Sequence, residues 1–183
     1  MNFEHVFSIL VTEFDQQQVS YALIGGFALG LYGVPRATVD LDFLIRREDI
    51  GKVDAILRGL AYERRYVSDN VSQYVSPLTI YGEIDILHAF RPPSLVMLDR
   101  ARSHQLFNGR LSAKVAMPED LIGLKVQALA NNPERMAKDF SDICALVDEL
   151  CPALDWAIIS SYFALFNLYH LYDELRRRCD ERK

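Results

Sequence analysis

The run Val39-Asp40-Leu41-Asp42-Phe43-Leu44-Ile45 places two carboxylates, one residue apart, inside a segment that otherwise reads as a buried strand. An acid pair in such a setting is costly unless a cation or a proton compensates it. Side chains at i and i+2 of a strand point to the same face. Asp40 and Asp42 therefore aim at one point, which is how a site for Mg²⁺ is built. Just upstream, Ile24-Gly25-Gly26-Phe27-Ala28 reads as a strand-to-helix turn. Two glycines there offer bare backbone N–H groups to a phosphate. Carboxylates for a metal and a cradle for phosphate in one short segment point to chemistry on a nucleoside triphosphate.

The rest of the chain supplies a frame for that segment. Phe3, Val6, Phe7, Leu10, Val11 and Phe14 recur at helical spacing and predict an opening helix over 3–18. Strands are expected at Tyr21–Ile24 and Thr38–Ile45, with a short helix over 26–32 between them and Val34-Pro35 as punctuation. A helix follows from Arg46 to about Leu60, then strands at Tyr62–Val67, Val71–Val75 and Leu78–Leu87. In the last of these, Glu83 and Asp85 alternate with Ile84 and Ile86, so both acids share one face. Residues 94–105 read as helical and Leu111–Ala116 as a strand. After Met117-Pro118-Glu119-Asp120, a helix-start signal, the pattern becomes helical: 118–130, 134–150 after the break at Asn131-Asn132-Pro133, and 156–178 with a turn near Asn167. The expectation is an α/β (α+β) protein: a small mixed sheet with flanking helices over residues 1–116, and a helical region over 117–183 that closes one side of a cleft.

Composition removes several function classes. The chain has 183 residues, half of them apolar and a quarter charged, enough for a core and unlike a disordered segment. A net charge of −5 argues against non-specific binding to duplex DNA and leans toward a cationic acceptor. No run is long enough to cross a membrane. The start, Met1-Asn2-Phe3-Glu4-His5, lacks the basic and apolar regions of a signal peptide. Cys144, Cys151 and Cys179 fit no metal-ligand spacing and read as packing or incidentally exposed residues; their odd number and the lack of a CxxC pattern suit a reducing cytoplasm. The glycine segment has Ala at position 28 and no GK[ST] ending, which disfavours a dinucleotide fold or a P-loop.

The combination of Gly25-Gly26, Asp40-Leu41-Asp42 and a lone strand aspartate, Asp85, resembles the nucleotidyltransferase superfamily of the DNA polymerase β type. The strings Tyr32-Gly33-Val34-Pro35-Arg36-Ala37-Thr38, Asp120-Leu121-Ile122-Gly123-Leu124-Lys125 and Arg135-Met136-Ala137-Lys138-Asp139-Phe140-Ser141-Asp142 look closer to a bacterial stand-alone branch that includes AbiEii-type toxins. The resemblance implies that Asp40, Asp42 and Asp85 are catalytic and bind two Mg²⁺ ions. It implies that Asp85 helps to deprotonate an acceptor hydroxyl. Gly25 and Gly26 would hold the β- and γ-phosphates of ATP or another NTP through backbone N–H groups. Arg36, Thr38, Lys125 and Asp139 would complete the nucleotide contacts, with Lys125 touching the triphosphate. The implied acceptor is an RNA or tRNA 3′ end, a protein side chain or a small molecule, with pyrophosphate released. A cognate toxin or antitoxin partner is implied as well.

Each residue also has a plainer role. Arg36 can pair with an aspartate as easily as with a phosphate. Lys125, Arg135, Lys138, Asp139 and Asp142 can form a salt-bridge ladder on helix surfaces. Glu83 suits solvent better than a site, and His88, three residues past Asp85, has no expected role. A non-catalytic partner protein that keeps the fold for binding, in the manner of an antitoxin, is the alternative function.

Overall fold

The computed structural model describes residues 3–78 and 81–181. The chain forms two compact units: Met1–Ala28 with Ala37–Ala116, and Leu29–Arg36 with Met117–Lys183.

The first unit is built on a mixed sheet. Helix α1 (Phe3–Gln16) leads to β1 (Tyr21–Ile24), which is buried throughout and runs directly into α2 (Gly25–Leu31). Strand β2 (Asp40–Arg46) is followed by a 3₁₀ turn (Arg47–Asp49) and α3 (Ile50–Gly59). The hairpin of β3 (Glu63–Val67) and β4 (Val71–Val75) precedes β5 (Glu83–Ala89). Helix α4 (Pro92–Arg100) then leads to the hairpin of β6 (Arg102–Leu106) and β7 (Leu111–Val115). The strand order is β3-β4-β5-β2-β1-β7-β6. The pairs β2–β5 and β1–β7 are parallel and the other neighbours antiparallel.

The two faces of this sheet differ in chemistry. One carries Leu41, Phe43 and Ile45 of β2, Ile84 and Ile86 of β5, and Tyr74 of β4, all buried. Phe7 and Phe14 of α1 lie against Phe43, at ring-centroid distances of 5.8 and 5.4 Å. On the same side, the Tyr74 hydroxyl donates to Asp54 of α3 at 3.0 Å. This face is the core. The opposite face carries Asp40, Asp42, Leu44 and Arg46 of β2, and Glu83, Asp85, Leu87 and Ala89 of β5. Helix α4 packs against both strands, and its Asp99 pairs with Arg46. The carboxyl-terminal end of this face is thereby covered, while the acids sit at its amino-terminal end.

The second unit is helical, with α5 (Pro118–Asn131), α6 (Met136–Leu150), α7 (Trp156–Leu165) and α8 (Tyr169–Asp180). Proline at the first position of α5 gives up an N–H that would be unpaired there in any case. Asp155 caps α7 by accepting from the N–H groups of Ala157 and Ile158. Its own N–H donates to Glu119 at 2.9 Å. Helices α5 and α7 meet closely because position 123 is glycine: a Cβ there would stand 2.6 Å from the Tyr162 ring. The Tyr162 hydroxyl, held by that contact, donates to the buried Asp120 at 2.6 Å.

Several boundaries differ from the sequence expectation, each for a physical reason. Strand β2 begins at Asp40, and Thr38 and Val39 lie outside it. The Thr38 hydroxyl bonds the backbone of Asp40, and Val39 is 72% exposed. The helix expected from Arg46 starts only at Ile50, after the 3₁₀ turn, and a second such turn (Pro133–Arg135) precedes α6. Residues 102–105, expected to be helical, belong to edge strand β6. That strand is polar along most of its length, so no apolar alternation announces it, and its pairing with β7 creates it. The strand expected from Leu78 begins at Glu83, and positions 79 and 80 lie outside the described residues. Cys151 and Cys179 are not independent packing residues: they form a disulfide across 28 residues, with Cα atoms 5.9 Å apart. Cys144 is free.

Candidate active site

In the first unit, four elements converge on the acidic end of the sheet. Strand β5 pairs with β2 in parallel register, with Asp42 opposite Asp85 and Asp40 opposite Glu83. In-register neighbours share a face, so Asp42 and Asp85 are adjacent across the ladder. On the other side of β5, Gln73 of β4 stands opposite Asp85. Its side-chain amide donates to Asp85 Oδ1 at 3.1 Å. A transverse row, Asp42–Asp85–Gln73, thus crosses three strands.

Gly25 closes the row from the β1 side. Its φ is +69°, a left-handed conformation open to glycine at little cost. The Asp42 carboxylate occupies the space a Cβ on Gly25 would fill. Both properties require glycine at this position: the chain reverses from strand to helix, and a carboxylate rests on the bend. Gly26 follows in the first turn of α2.

Asp85 is the perturbed acid of the group. Burial is the main cause that raises its pKa above the ordinary carboxylate value, and the negative charges of Asp40 and Glu83 push in the same direction. The Gln73 hydrogen bond opposes them. A half-buried surplus of negative charge built only from carboxylate oxygens suits a hard divalent cation. Among the described residues, no three His, Cys, Asp or Glu side chains form a ready-made metal cage. Mg²⁺ does not need one, because it takes one or two carboxylates together with substrate phosphates and water. Asp40, Asp42 and Asp85 are the side chains that would hold it.

Thr38 is committed locally: its hydroxyl accepts from Asp40 N and donates to Asp40 O, at 3.4 and 3.1 Å. It fixes the entry to β2. His88 lies on the other face, between the Ser72 hydroxyl and the Asp69 carbonyl.

The second unit collects the remaining candidates into one ionic network. The Lys125 ammonium reaches Asp139 Oδ1 at 3.1 Å and Asp142 Oδ2 at 2.5 Å. Arg135 binds the other oxygen of Asp139 at 2.8 Å, and Arg36 pairs with Asp142. Asp139 is 1% exposed. Burial alone would raise its pKa, but the Arg135 hydrogen bond and the Lys125 charge outweigh that and hold it below the ordinary range. Asp139 therefore fixes both Lys125 and Arg135, and Asp142 fixes Lys125 and Arg36. Lys138 points to solvent.

Sequence reasoning missed Gln73. Alternation along Val71-Ser72-Gln73-Tyr74-Val75 assigns it a face, but only the β4–β5 register reveals its partner.

Comparison with known proteins bears on the family and the fold. A family model described as "Uncharacterised nucleotidyltransferase" matches residues 6–182. Among curated proteins no sequence matches the chain. Among solved structures, the antibiotic-resistance factor ANT(2'')-Ia is similar in its solution structure, with a TM-score of 0.66 at 15% identity, over 97% of this chain and 98% of that one. Its crystal structure with adenylyl-2''-tobramycin gives a TM-score of 0.64 at 16% identity, over 91% and 97%. The lincosamide antibiotic adenylyltransferase LnuA, bound to lincomycin, gives 0.52 at 15% identity, over 78% and 95%. At such identities these likenesses speak for the fold. The family match spans nearly the whole sequence, and the chain is accordingly a nucleotidyltransferase, a member of the family described as "Uncharacterised nucleotidyltransferase".

Proposed function

We propose that this enzyme moves a nucleoside monophosphate from an NTP to a hydroxyl of a small, positively charged acceptor, with Mg²⁺ as cofactor and pyrophosphate as the leaving group. The observation that carries this reading is the in-register pair Asp42 and Asp85, with Asp40 on the same face and Gly25 beneath Asp42. Bound Mg²⁺ would neutralise triphosphate charge and polarise the α-phosphate.

The chain's own residues do the rest. Asp40 and Asp42, anchored on a strand, supply fixed oxygens for the metal. The bend at Gly25 and Gly26, at the start of α2, is where backbone N–H groups would receive the phosphates. Asp85, half-buried beside Asp42 on the neighbouring strand, is the carboxylate assigned here to take the proton. The acceptor oxygen attacks the α-phosphorus and its proton passes to an Asp85 oxygen. The bond from the α-phosphorus to the bridging oxygen breaks, and pyrophosphate departs with that electron pair. Nucleotide contacts by Arg36, Thr38, Lys125 and Asp139 belong to the proposal on family resemblance alone, and no step above uses them.

Two observations favour a small cationic acceptor. The net charge of −5 suits it. A structural neighbour that matches along most of the chain, ANT(2'')-Ia, carries adenylyl-2''-tobramycin in its crystal structure. The test is incubation with each NTP and Mg²⁺ against aminoglycosides, lincosamides, total RNA and lysate protein, read by mass spectrometry and label transfer. An acceptor drug heavier by one NMP, absent with Asp42→Asn, supports the reading. Label in RNA would move the chain toward the toxin-type branch, and label in protein toward a regulator. No transfer from any NTP would favour a non-catalytic, antitoxin-like role and refute catalysis by the strand acids.

A further inference from the structure

We propose that Gln73 is a positioning residue for Asp85: its side-chain amide fixes which carboxylate oxygen faces the reaction and which is held back. The inference deepens the function proposed above and rests on Asp85 being a site carboxylate.

Three observations carry it. First, Gln73 and Asp85 are direct partners in the antiparallel β4–β5 ladder, so their side chains rise from the same face of the sheet. Second, the Gln73 Nε2–H donates to Oδ1 of Asp85 at 3.1 Å, which leaves Oδ2 as the oxygen not engaged by Gln73. Third, both residues are partly buried on a sheet, where a held rotamer is more precise than one on a loop. An amide suits this task. It donates without bringing a charge, so it orients the acid and leaves the negative charge available to a cation. A lysine or arginine in its place would neutralise the carboxylate, and a glutamate would repel it. Hydrogen-bond partners of metal-ligating carboxylates commonly change metal affinity or activity 10–100-fold when removed.

The test uses the full chain with Gln73→Leu, the near-isosteric Gln73→Glu, Asp85→Asn and the double variant Gln73→Leu/Asp85→Asn. Mn²⁺ binding is read by electron paramagnetic resonance of the free ion, without turnover. Kinetics are read with the acceptor identified in the assay above, and folding by melting temperature. The expected result is that Gln73→Leu lowers kcat about 10–100-fold while KM for the NTP stays within about threefold. Gln73→Leu weakens Mn²⁺ binding in the wild-type background and has no further effect in the Asp85→Asn background, because residues acting as a unit are non-additive. Gln73→Glu, equal in shape, shows at least the same kinetic loss with an unchanged melting temperature. Normal kcat and Mn²⁺ affinity in Gln73→Leu, with Asp85→Asn inactive, would overturn this inference alone. Full activity in Asp85→Asn would overturn the underlying function as well. Equal weakening of Mn²⁺ binding by Gln73→Leu in both backgrounds would reduce Gln73 to a general structural role.

Discussion

The carboxylate of Asp42 rests on the α-carbon of Gly25, in the volume that any larger residue at position 25 would need for its own side chain. Gly25→Ala therefore meets two penalties. The left-handed backbone costs about 1–2 kcal/mol for an alanine, and the methyl group must displace Asp42. The expected outcome is a melting temperature several degrees lower and activity reduced by about two orders of magnitude. Wild-type kinetics in this variant would show that the close approach has no functional weight.

Replacing either strand acid should separate folding from chemistry. Asp40→Asn and Asp42→Asn remove charge without changing shape, and both residues are only partly buried. Transfer activity is expected to fall by about a thousandfold or more, with an unchanged circular dichroism spectrum. Stabilisation by NTP with Mg²⁺ in a thermal-shift assay should be lost along with it. Full transfer in either variant would refute the metal assignment.

The packing of α5 on α7 makes a stability prediction without a catalytic component. Gly123→Ala drives a methyl group to within 2.6 Å of the Tyr162 ring, and overpacking of this kind costs about 1–3 kcal/mol. Tyr162→Phe takes a donor from the buried Asp120 at a cost of similar size. Denaturant titration reads both, and a midpoint shift near zero for each would contradict the observed packing.

Asp139 gives the second unit a defined acid response. Its folded pKa is depressed, so it binds protons less readily in the folded state than in the unfolded one. Its contribution is fully present above the ordinary aspartate value of about 3.9 and is lost as pH falls through the lower folded value. Asp139→Asn should thus be less stable than wild type at neutral pH, and the gap should shrink as pH drops below about 4. A gap that widens toward acid would contradict the Lys125 and Arg135 pairing.

The disulfide between Cys151 and Cys179 predicts a redox-dependent melting temperature. Closing a loop of 28 residues stabilises by about 3–4 kcal/mol on the chain-entropy model. Dithiothreitol should lower the melting temperature of the wild type and leave Cys151→Ser unaffected. Equal melting with and without reductant would argue against a stabilising bridge.

How much could be read from the chain alone depended on the range of the interaction. Asp40 and Asp42 were legible because strand alternation is a local property, and the Gly25 bend because a strand ends there and a helix begins. The alternation of Glu83 and Asp85 gave the face but not the neighbour. That Asp85 lies beside Asp42 is a consequence of parallel pairing between distant segments. Edge strand β6 was illegible because Arg102-Ser103-His104-Gln105 has no apolar period, and its hydrogen bonds come from β7. The charges around Lys125 could be named from sequence. Which aspartate Arg36 reaches, Asp142 across 106 positions, could not. The Cys151–Cys179 pair was hidden for the same reason.

Strand β2 leaves the ribosome well before β5, and α3 and the β3–β4 hairpin are made in between. During synthesis Asp42 must wait, solvated, for a neighbour not yet translated. No amino-terminal fragment ending before residue 83 can bring the acids together. On the function proposed above, a chain that ends before β5 is expected to transfer no nucleotide, because Asp85 is missing from it.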